Sequence, residues 1–135
     1  MKAVIFNSGL GNRMGDFTRT HHKSMSVLKN GETIFHRQIR LLSAEGVEDF
    51  IITTGPFEEQ LIEETKDFPN LNFTFVRNDI YDKTNYIYSM YLAREYMDDD
   101  LIFLQLYPVR SQHLRGSDQF SCTHLGKPLW KQVWP

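Results

Sequence analysis

The stretch that decides the fold is residues 3–15, "AVIFNSGLGNRMG", in which a short apolar run leads directly into a glycine-rich loop. Residues 3–6 are continuously apolar and end at turn-forming residues, the pattern of a buried parallel strand. Residues 7–15 follow with three glycines, one arginine and no acidic residue. Glycines let the backbone approach an anion closely, and an arginine offers donors that match phosphate oxygens. The stretch therefore predicts a phosphate-binding loop after the first strand.

The rest of the first hundred residues alternates between helical and strand patterns. Apolar residues at helical spacing predict three helices, at residues 33–44, 57–68 and 85–97. Short apolar runs bounded by Gly, Pro, Asn or Asp predict three further strands, at residues 49–54, 71–76 and 101–107. Strands that alternate with helices pair in parallel through right-handed crossovers. We therefore expect an α/β fold with four parallel strands.

Composition and charge exclude several classes of function. The chain has 135 residues, enough for one domain, and a net charge of −2, which gives no general attraction to nucleic acid or to an anionic membrane. No apolar run approaches the roughly 18 residues that a membrane span requires. The single cysteine, Cys122, excludes an intramolecular disulfide. We expect a cytoplasmic protein that contacts neither nucleic acid nor membrane.

The loop leaves open which phosphate it holds, that of a dinucleotide cofactor or that of a nucleoside triphosphate. The spacing of Gly9, Gly11 and Gly15 also fits the dinucleotide fingerprint. That fingerprint requires a helix at the last glycine and an acid at the end of the second strand, about 20 residues further on. Residues 16–27 have no apolar face, and the second strand ends at "TTG", about forty residues on, without an acid. The dinucleotide interpretation therefore fails.

The loop and its surroundings resemble the signature of sugar-nucleotide-type nucleotidyltransferases. That signature is a G-x-G-x-R-M loop, a lysine about ten residues later, an apolar stretch, a glycine turn and a helix. The matching residues are Gly9, Gly11, Arg13, Met14, Lys23, Leu28 and Gly31. This chain departs from the signature at Asn7 and Ser8, where the family has small residues, and at His22, where it has a proline.

A second motif, residues 78–95, is similar to the subgroup of the phosphocholine cytidylyltransferases. In that subgroup an asparagine-rich connection runs into a helix that contains a Tyr-Ser pair. The matching residues are Asn78, Asp79, Tyr81, Asn85, Tyr88 and Ser89. The two motifs agree in order and spacing, and the resemblance covers residues 1–104.

The resemblance implies both a fold and a reaction. The fold is a Rossmann-like parallel sheet flanked by helices, of the nucleotide-diphospho-sugar transferase type, with strand order 3-2-1-4. In the reaction, a phosphorylated small molecule such as phosphocholine attacks the α-phosphate of a nucleoside triphosphate, CTP by the subgroup, and pyrophosphate leaves. Mg²⁺ is the cofactor that such transfer requires.

The resemblance also implies site residues. Arg13 is expected on the departing pyrophosphate and Lys23 on the α-phosphate, both as catalytic residues. The expected nucleotide-binding residues are Ser8, Gly9, Leu10, Gly11, Asn12, Arg13, Met14 and Lys23. The residues expected on the side of the base or the acceptor are Asn78, Asp79, Tyr81, Asn85 and Tyr88.

The metal-binding acid of the family is missing from the sequence. The family places an aspartate just past the fourth strand, but here that strand runs into Gln105-Leu106-Tyr107-Pro108, and the next acid is Asp118. The acids at residues 98–100 precede the strand and belong to the opposite edge of the sheet. We therefore predict no metal ligand and little or no activity. The alternative is a non-catalytic nucleotide-binding module or subunit.

Residues 105–135 differ in character from residues 1–104. Residues 101–135 hold one acid and four basic residues, whereas 16 of the 17 acids lie in residues 1–100. Beyond residue 107 no period is sustained, which predicts a coil-like tail or a short helix. A displaced reading frame or a truncation near residue 105 would explain both changes and the end of the resemblance. Trp130 and Trp134 in this tail would favour self-association if exposed, so the sequence is compatible with a homo-oligomer.

Two further groups of residues have two interpretations each. An apolar stripe on the third predicted helix fits core packing better than an aromatic cage for choline: Tyr86, Ile87, Met90, Tyr91 and Ala93. The five histidines lack metal-ligand spacing and are expected at the surface or half-buried: His21, His22, His36, His113 and His124.

Overall fold

The computed structural model describes residues 1–105 and, for the backbone, residues 122–125. The strands are β1 (Lys2–Asn7), β2 (Asp49–Thr54), β3 (Asn72–Arg77), β4 (Leu101–Gln105) and β5 (Cys122–Leu125). The helices are α1 (Ile34–Ala44), α2 (Glu58–Thr65) and α3 (Tyr86–Ala93). Short 3₁₀ segments follow β1, at Asn12–Arg19 and Lys23–Met25, and continue α3, at Arg94–Tyr96. The first part of the crossover after β1 thus consists of 3₁₀ segments and turns, and the regular helix α1 begins only at Ile34 rather than at the last glycine of the loop, as a dinucleotide fold requires.

The strands form one sheet in the order β3-β2-β1-β4-β5. β1 pairs in parallel with both β2 and β4, and β2 pairs in parallel with β3. The predicted order 3-2-1-4 and the predicted parallel sheet flanked by helices are therefore confirmed. Asn7 is opposite Thr54, and Phe6 is opposite Gln105, so the carboxyl ends of the strands lie at one edge of the sheet.

Helices cover both faces of the sheet, which explains why β1 is apolar throughout. Alternate side chains of a strand point to opposite faces. Ala3 and Ile5 lie in one buried cluster with residues of α1 and α2, namely Phe35, Ile39 and Leu61. Val4 and Phe6 lie in the other, with Ala93 and Met97 at and beyond the end of α3. The first crossover is consequently anchored to a strand in which every residue after Lys2 is buried.

Capping side chains determine where two of the helices begin. Thr33 precedes α1, and its Oγ1 accepts a hydrogen bond from the backbone N–H of His36 at 3.0 Å. Asn85 precedes α3, and its Oδ1 accepts from the N–H of Ile87 at 3.0 Å. Such caps satisfy backbone donors that have no partner within the helix. The cap at Asn85 also places that residue at the carboxyl edge of the sheet.

Two expectations from the sequence are wrong. The tail is not coil throughout, because Cys122–Leu125 pairs as β5 antiparallel to β4. Four residues are too few for a detectable period, and the pairing partner is distant in sequence. The stripe on α3 is not core packing throughout, since Tyr86, Ile87 and Tyr91 are 41%, 47% and 44% exposed. The remaining predictions for residues 106–121 and 126–135 concern parts of the chain outside the described residues.

No helix within the described parts of the chain is long and apolar enough to cross a membrane.

Candidate functional site

The glycine loop leaves β1 at the carboxyl edge of the sheet, the usual ligand position in open α/β sheets. Gly11 has a φ of 67° and ψ of 28°, a left-handed conformation that glycine adopts without steric cost. The N–H of Met14 donates to the carbonyl oxygen of Gly11 at 2.9 Å, and Thr18 Oγ1 donates to that of Gly15 at 3.0 Å. The loop is therefore a compact turn above the end of β1.

The side chain of Lys23 lies along this loop. A Cβ built on Gly11 would lie 3.2 Å from Lys23 Cβ and 3.5 Å from its Cδ, and a Cβ on Gly9 would lie 3.7 Å from Lys23 Nζ. The lysine is half-buried, and burial lowers its pKa from the ordinary value. Because charges interact more strongly where water is partly excluded, this ammonium is well placed to attract an anion over the loop.

His22, the residue before this lysine, is buried. Its Nε2 lies 2.7 Å from the carbonyl oxygen of Asn7, and its Nδ1 lies 2.6 Å from Ser24 Oγ and accepts from the Ser24 N–H at 3.2 Å. A carbonyl only accepts, so Nε2 carries the proton and Nδ1 is the acceptor. The expectation of a surface or half-buried histidine is thus wrong for His22, since these partners satisfy both ring nitrogens and permit burial.

Burial lowers the pKa of His22 to about 4, with a smaller lowering from the Lys23 charge and an opposing effect of the hydrogen bond to Asn7. In the unfolded chain the same ring titrates near 6.5, so the unfolded state binds the proton first. Stability is therefore expected to decrease as the pH falls from 6.5 to about 4, by about 3 kcal/mol.

Urea unfolding at pH 7, 5.5 and 4 measures this effect by comparison of the wild type with His22→Asn, which lacks the titrating ring. The difference in pH dependence between the two isolates His22 from the carboxylates that titrate in the same range. His21→Asn removes the exposed neighbouring histidine and is the matched control. Parallel pH profiles for the wild type and His22→Asn would contradict the assignment of a buried neutral ring.

A buried hydrogen-bond cluster joins the loop to the second motif. Ser8 Oγ and Ser89 Oγ lie 2.6 Å apart, which links the loop to α3. Asn78 Nδ2 donates to Ser89 Oγ at 3.1 Å and to Thr84 Oγ1 at 2.9 Å. Both hydrogens of this amide are therefore used within the protein. Ser8, which departs from the family signature, thus supplies a buried hydrogen bond between the two motifs.

An open cleft lies where these parts meet. From the first crossover and the ends of β1 and β4 it is lined by Phe6, Ser8, Gly9, Lys23 and Gln105. From the connection before α3 and from its first residue it is lined by Tyr81, Thr84, Asn85 and Tyr86. The structure thus brings together residues of both motifs. The glycine loop and its lysine form one wall, and aromatic and amide side chains form the other.

Three other residues that the sequence assigned to nucleotide binding, Leu10, Gly11 and Met14, do not line the cleft. Leu10 is exposed and Met14 is half-buried, and neither lines the cleft. Gly11 packs against Lys23 instead. The side chains of Asn12 and Arg13 lie outside the described part of the chain.

Three residues expected on the side of the base or acceptor do not line the cleft either. Asn78 is 1% exposed and lies beneath it. Asp79 is exposed and accepts a hydrogen bond from Arg77 Nε at 2.8 Å. Tyr88 stacks on Tyr91, with 6.2 Å between the ring centroids. Of the second motif, Tyr81 and Asn85 are the predicted residues that reach the cleft.

The sequence reasoning assigned no site role to the lining residues Phe6, Thr84, Tyr86 and Gln105, and it also missed two residues that support the site from below or beside it, Gly55 and Gln60. A Cβ on Gly55 would lie 2.6 Å from the carbonyl oxygen of Ser8 and 3.1 Å from the ring of Tyr81, so this position requires glycine. Gln60 Oε1 accepts from the N–H of His22 at 2.9 Å, and its Nε2 donates to the carbonyl oxygen of Thr20 at 2.8 Å. Both residues lie far from the glycine loop in sequence. The sequence feature that could have pointed to Gly55 is the Gly55-Pro56 turn after β2.

Among the residues that the structure describes, the cleft offers no carboxylate, the protein ligand that Mg²⁺ prefers. Strand β4, after which the family signature places an aspartate, ends in Gln105. Within residues 1–105 and 122–125 no group of three or more His, Cys, Asp or Glu residues could hold a metal ion. The residues described here therefore do not fit the expected cofactor.

Comparison with known proteins identifies relatives over most of the chain. No protein-family model matches it. It is 31% identical over 99 residues to a choline-phosphate cytidylyltransferase of Haemophilus influenzae, covering 73% of this chain and 41% of that protein. It is 35% identical over 95 residues to one of Streptococcus pneumoniae, covering 70% and 40%. The chain thus spans about two fifths of the length of these curated relatives.

Solved structures show the same relationship. A CTP:phosphocholine cytidylyltransferase from Streptococcus pneumoniae matches with a TM-score of 0.66 and 28% identity, covering 77% of this chain and 43% of that one. An inositol-1-phosphate CTP transferase from T. maritima matches with a TM-score of 0.61 and covers 77% and 41%, and at 22% identity it supports the fold alone. The chain belongs to the family of the cytidylyltransferase-like nucleotidyltransferases.

Proposed function

We propose that this chain binds CTP and forms the nucleotide-binding part of a transferase that moves a cytidylyl group to a phosphorylated small molecule. The observation that supports this most strongly is the cleft in which Lys23 lies beside Gly9, opposite Tyr81 and Asn85. The relatives are named for transfer from CTP or to choline phosphate, which makes CTP the proposed donor and phosphocholine the first acceptor to test.

The proposed reaction is an in-line displacement. A phosphate oxygen of the acceptor attacks the α-phosphorus of CTP, the bond from that phosphorus to the bridging oxygen breaks, and pyrophosphate leaves with the bonding electrons. The protein mainly positions the reactants and neutralises charge. Lys23 would stabilise the charge that develops on the α-phosphate, and the compact Gly9–Gly11 turn would leave room for the phosphates. Arg13 is proposed for the departing pyrophosphate on the family signature alone.

The opposite wall of the cleft suits the remaining parts of the substrates. Tyr81 and Tyr86 supply aromatic faces, which attract quaternary ammonium groups such as that of choline. Asn85 presents its side chain at the start of α3, where its oxygen is already used as a cap. We propose that Asn78 acts as a positioning residue, because its amide hydrogens hold Ser89 and Thr84 rather than a ligand.

A second candidate function is a nucleotide-binding module or subunit without catalytic activity. The observation that favours it is Gln105 in the cleft, together with the lack of a carboxylate among the described lining residues. Such a module would bind CTP through the same loop and lysine. The two candidates therefore differ in turnover and not in binding.

One experiment separates them. Calorimetric titration with CTP, with and without Mg²⁺, measures binding, and pyrophosphate release in the presence of phosphocholine and Mg²⁺ measures turnover. Binding with turnover supports the transferase, and saturable binding without turnover supports the module. If CTP forms no saturable complex under either condition, both candidates are wrong.

A further inference from the structure

We propose that His22 is a positioning residue for Lys23, because its ring connects the end of β1 to the turn that carries the lysine. The inference rests on the proposed function only in that Lys23 is taken to be the group that meets phosphate. Nothing in the family signature assigns a role to this residue, since the family has proline at that position.

The contacts of the ring place His22 between two parts of the site. One edge donates from Nε2 to the carbonyl oxygen of Asn7, the last residue of β1, at 2.7 Å. The other edge accepts at Nδ1 from the N–H of Ser24 at 3.2 Å, and Ser24 Oγ lies 2.6 Å from the same nitrogen. Lys23 lies between His22, which carries this ring, and Ser24, which the ring contacts, so its backbone is held from both sides.

A second tether acts on the same segment from α2. Gln60 accepts a hydrogen bond from the N–H of His22 and donates one to the carbonyl oxygen of Thr20, at 2.9 and 2.8 Å. The turn at Lys23 is therefore fixed to β1 by the ring of His22. It is fixed to α2 by the side chain of Gln60, which bonds to the backbone of His22 and Thr20. Both elements belong to the buried core, which makes them rigid points of attachment.

The backbone of His22 shows how a histidine replaces the proline of the family. Its φ is −66° and its ψ is 142°, a conformation that proline would also adopt. Proline restricts the turn through its own ring but offers no N–H to Gln60. In this chain, hydrogen bonds at the N–H and at both ring nitrogens supply the restriction instead.

A histidine that only stabilised the core would have a different effect from one that positions Lys23. Loss of a stabilising residue lowers the free energy of unfolding and leaves the environment of a nearby lysine unchanged in the folded protein. Loss of a positioning residue lets the ammonium move away from the loop towards water. The pKa of Lys23, which burial lowers, reports this movement directly.

The experiment uses the full chain with ¹³C-labelled lysine, and NMR titration of the Lys23 side chain gives its pKa. In His22→Asn the shorter side chain still caps the N–H of Ser24, as asparagine does at helix starts, but loses the bond to Asn7. We expect the pKa of Lys23 to rise towards its ordinary value and the Kd for CTP to increase about tenfold. His22→Ala should show larger shifts in the same directions, and His21→Ala, the matched control, should show neither.

A double-mutant cycle then tests whether His22 acts through Lys23. In a Lys23→Ala background, His22→Asn should cause no further loss of CTP affinity, because the group that it positions is gone. Additive losses would overturn the inference, as would an unchanged Lys23 pKa in folded His22→Asn. If the wild type forms no CTP complex, the proposed function fails, and if Lys23→Ala leaves CTP binding intact, Lys23 is not part of the CTP site. In either case the pKa measurement alone then decides the role of His22. If His22→Ala does not fold, the measurements on His22→Asn alone test whether His22 positions Lys23.

Discussion

Replacement of Lys23 by alanine is expected to weaken CTP binding roughly 10- to 100-fold, the loss that corresponds to one hydrogen bond to a charged group. The ammonium lies 3.7 Å from the position of a Cβ on Gly9 and is half-buried, so neither water nor another part of the loop substitutes for it easily. Calorimetric titration of wild type and variant with CTP at two salt concentrations measures the effect.

The matched control is Lys29→Ala, which removes an exposed lysine from the same crossover and should leave the Kd unchanged. The salt dependence adds a second criterion, because loss of a phosphate contact should make CTP binding less sensitive to salt in Lys23→Ala. If both variants bind CTP like the wild type, Lys23 is not part of the site.

Replacement of Gly55 by alanine is expected to have the largest combined effect on stability and binding. The new Cβ would lie 2.6 Å from the carbonyl oxygen of Ser8, and because that atom is backbone, the loop itself must move. The ring of Tyr81, at 3.1 Å, blocks the other direction. Overpacking of this kind costs typically 1–3 kcal/mol. We expect a corresponding loss in the free energy of unfolding and CTP binding that is at least tenfold weaker.

Chemical denaturation and CTP titration of Gly55→Ala test this prediction. Gly46→Ala is the control, because Gly46 has a φ of 91° but no heavy atom within 4 Å of a built Cβ. That variant should lose about 1 kcal/mol of stability through backbone strain alone, and CTP binding should be unaffected. A Gly55→Ala protein with wild-type stability and affinity would show that the close approach of Ser8 to Gly55 is dispensable.

The sequence was sufficient to bring the two motifs to one edge of the sheet. Parallel strands end at the same edge, so a loop after β1 and a connection after β3 must lie on the same side of the molecule. Ser8, Gly9, Lys23, Tyr81 and Asn85 meet in the cleft as that argument requires. The roles of these residues and the truncation near residue 105 stay predictions.

The sequence was not sufficient to distinguish residues that face the cleft from those that support it. Asn78 and Tyr81 belong to the same motif, yet one is buried beneath the cleft and the other lines it. An asparagine that binds a ligand and one that joins two loops look alike in a single sequence. The partners of Asn78 determine its role, and Ser89 lies 11 residues away on a different element.

What the sequence by itself determined is the α/β class, the strand order through the family resemblance, and the position of the glycine loop, because periodicity and glycine spacing are local properties of the chain. Only the tertiary structure decided that His22 is buried, that Gly55 must be a glycine, that Ser8 is joined to Ser89, 81 residues away, and that much of the α3 stripe is exposed. These features depend on contacts between elements that are distant in sequence. The local pattern of apolar residues and glycines does not indicate which side chains of different elements contact each other.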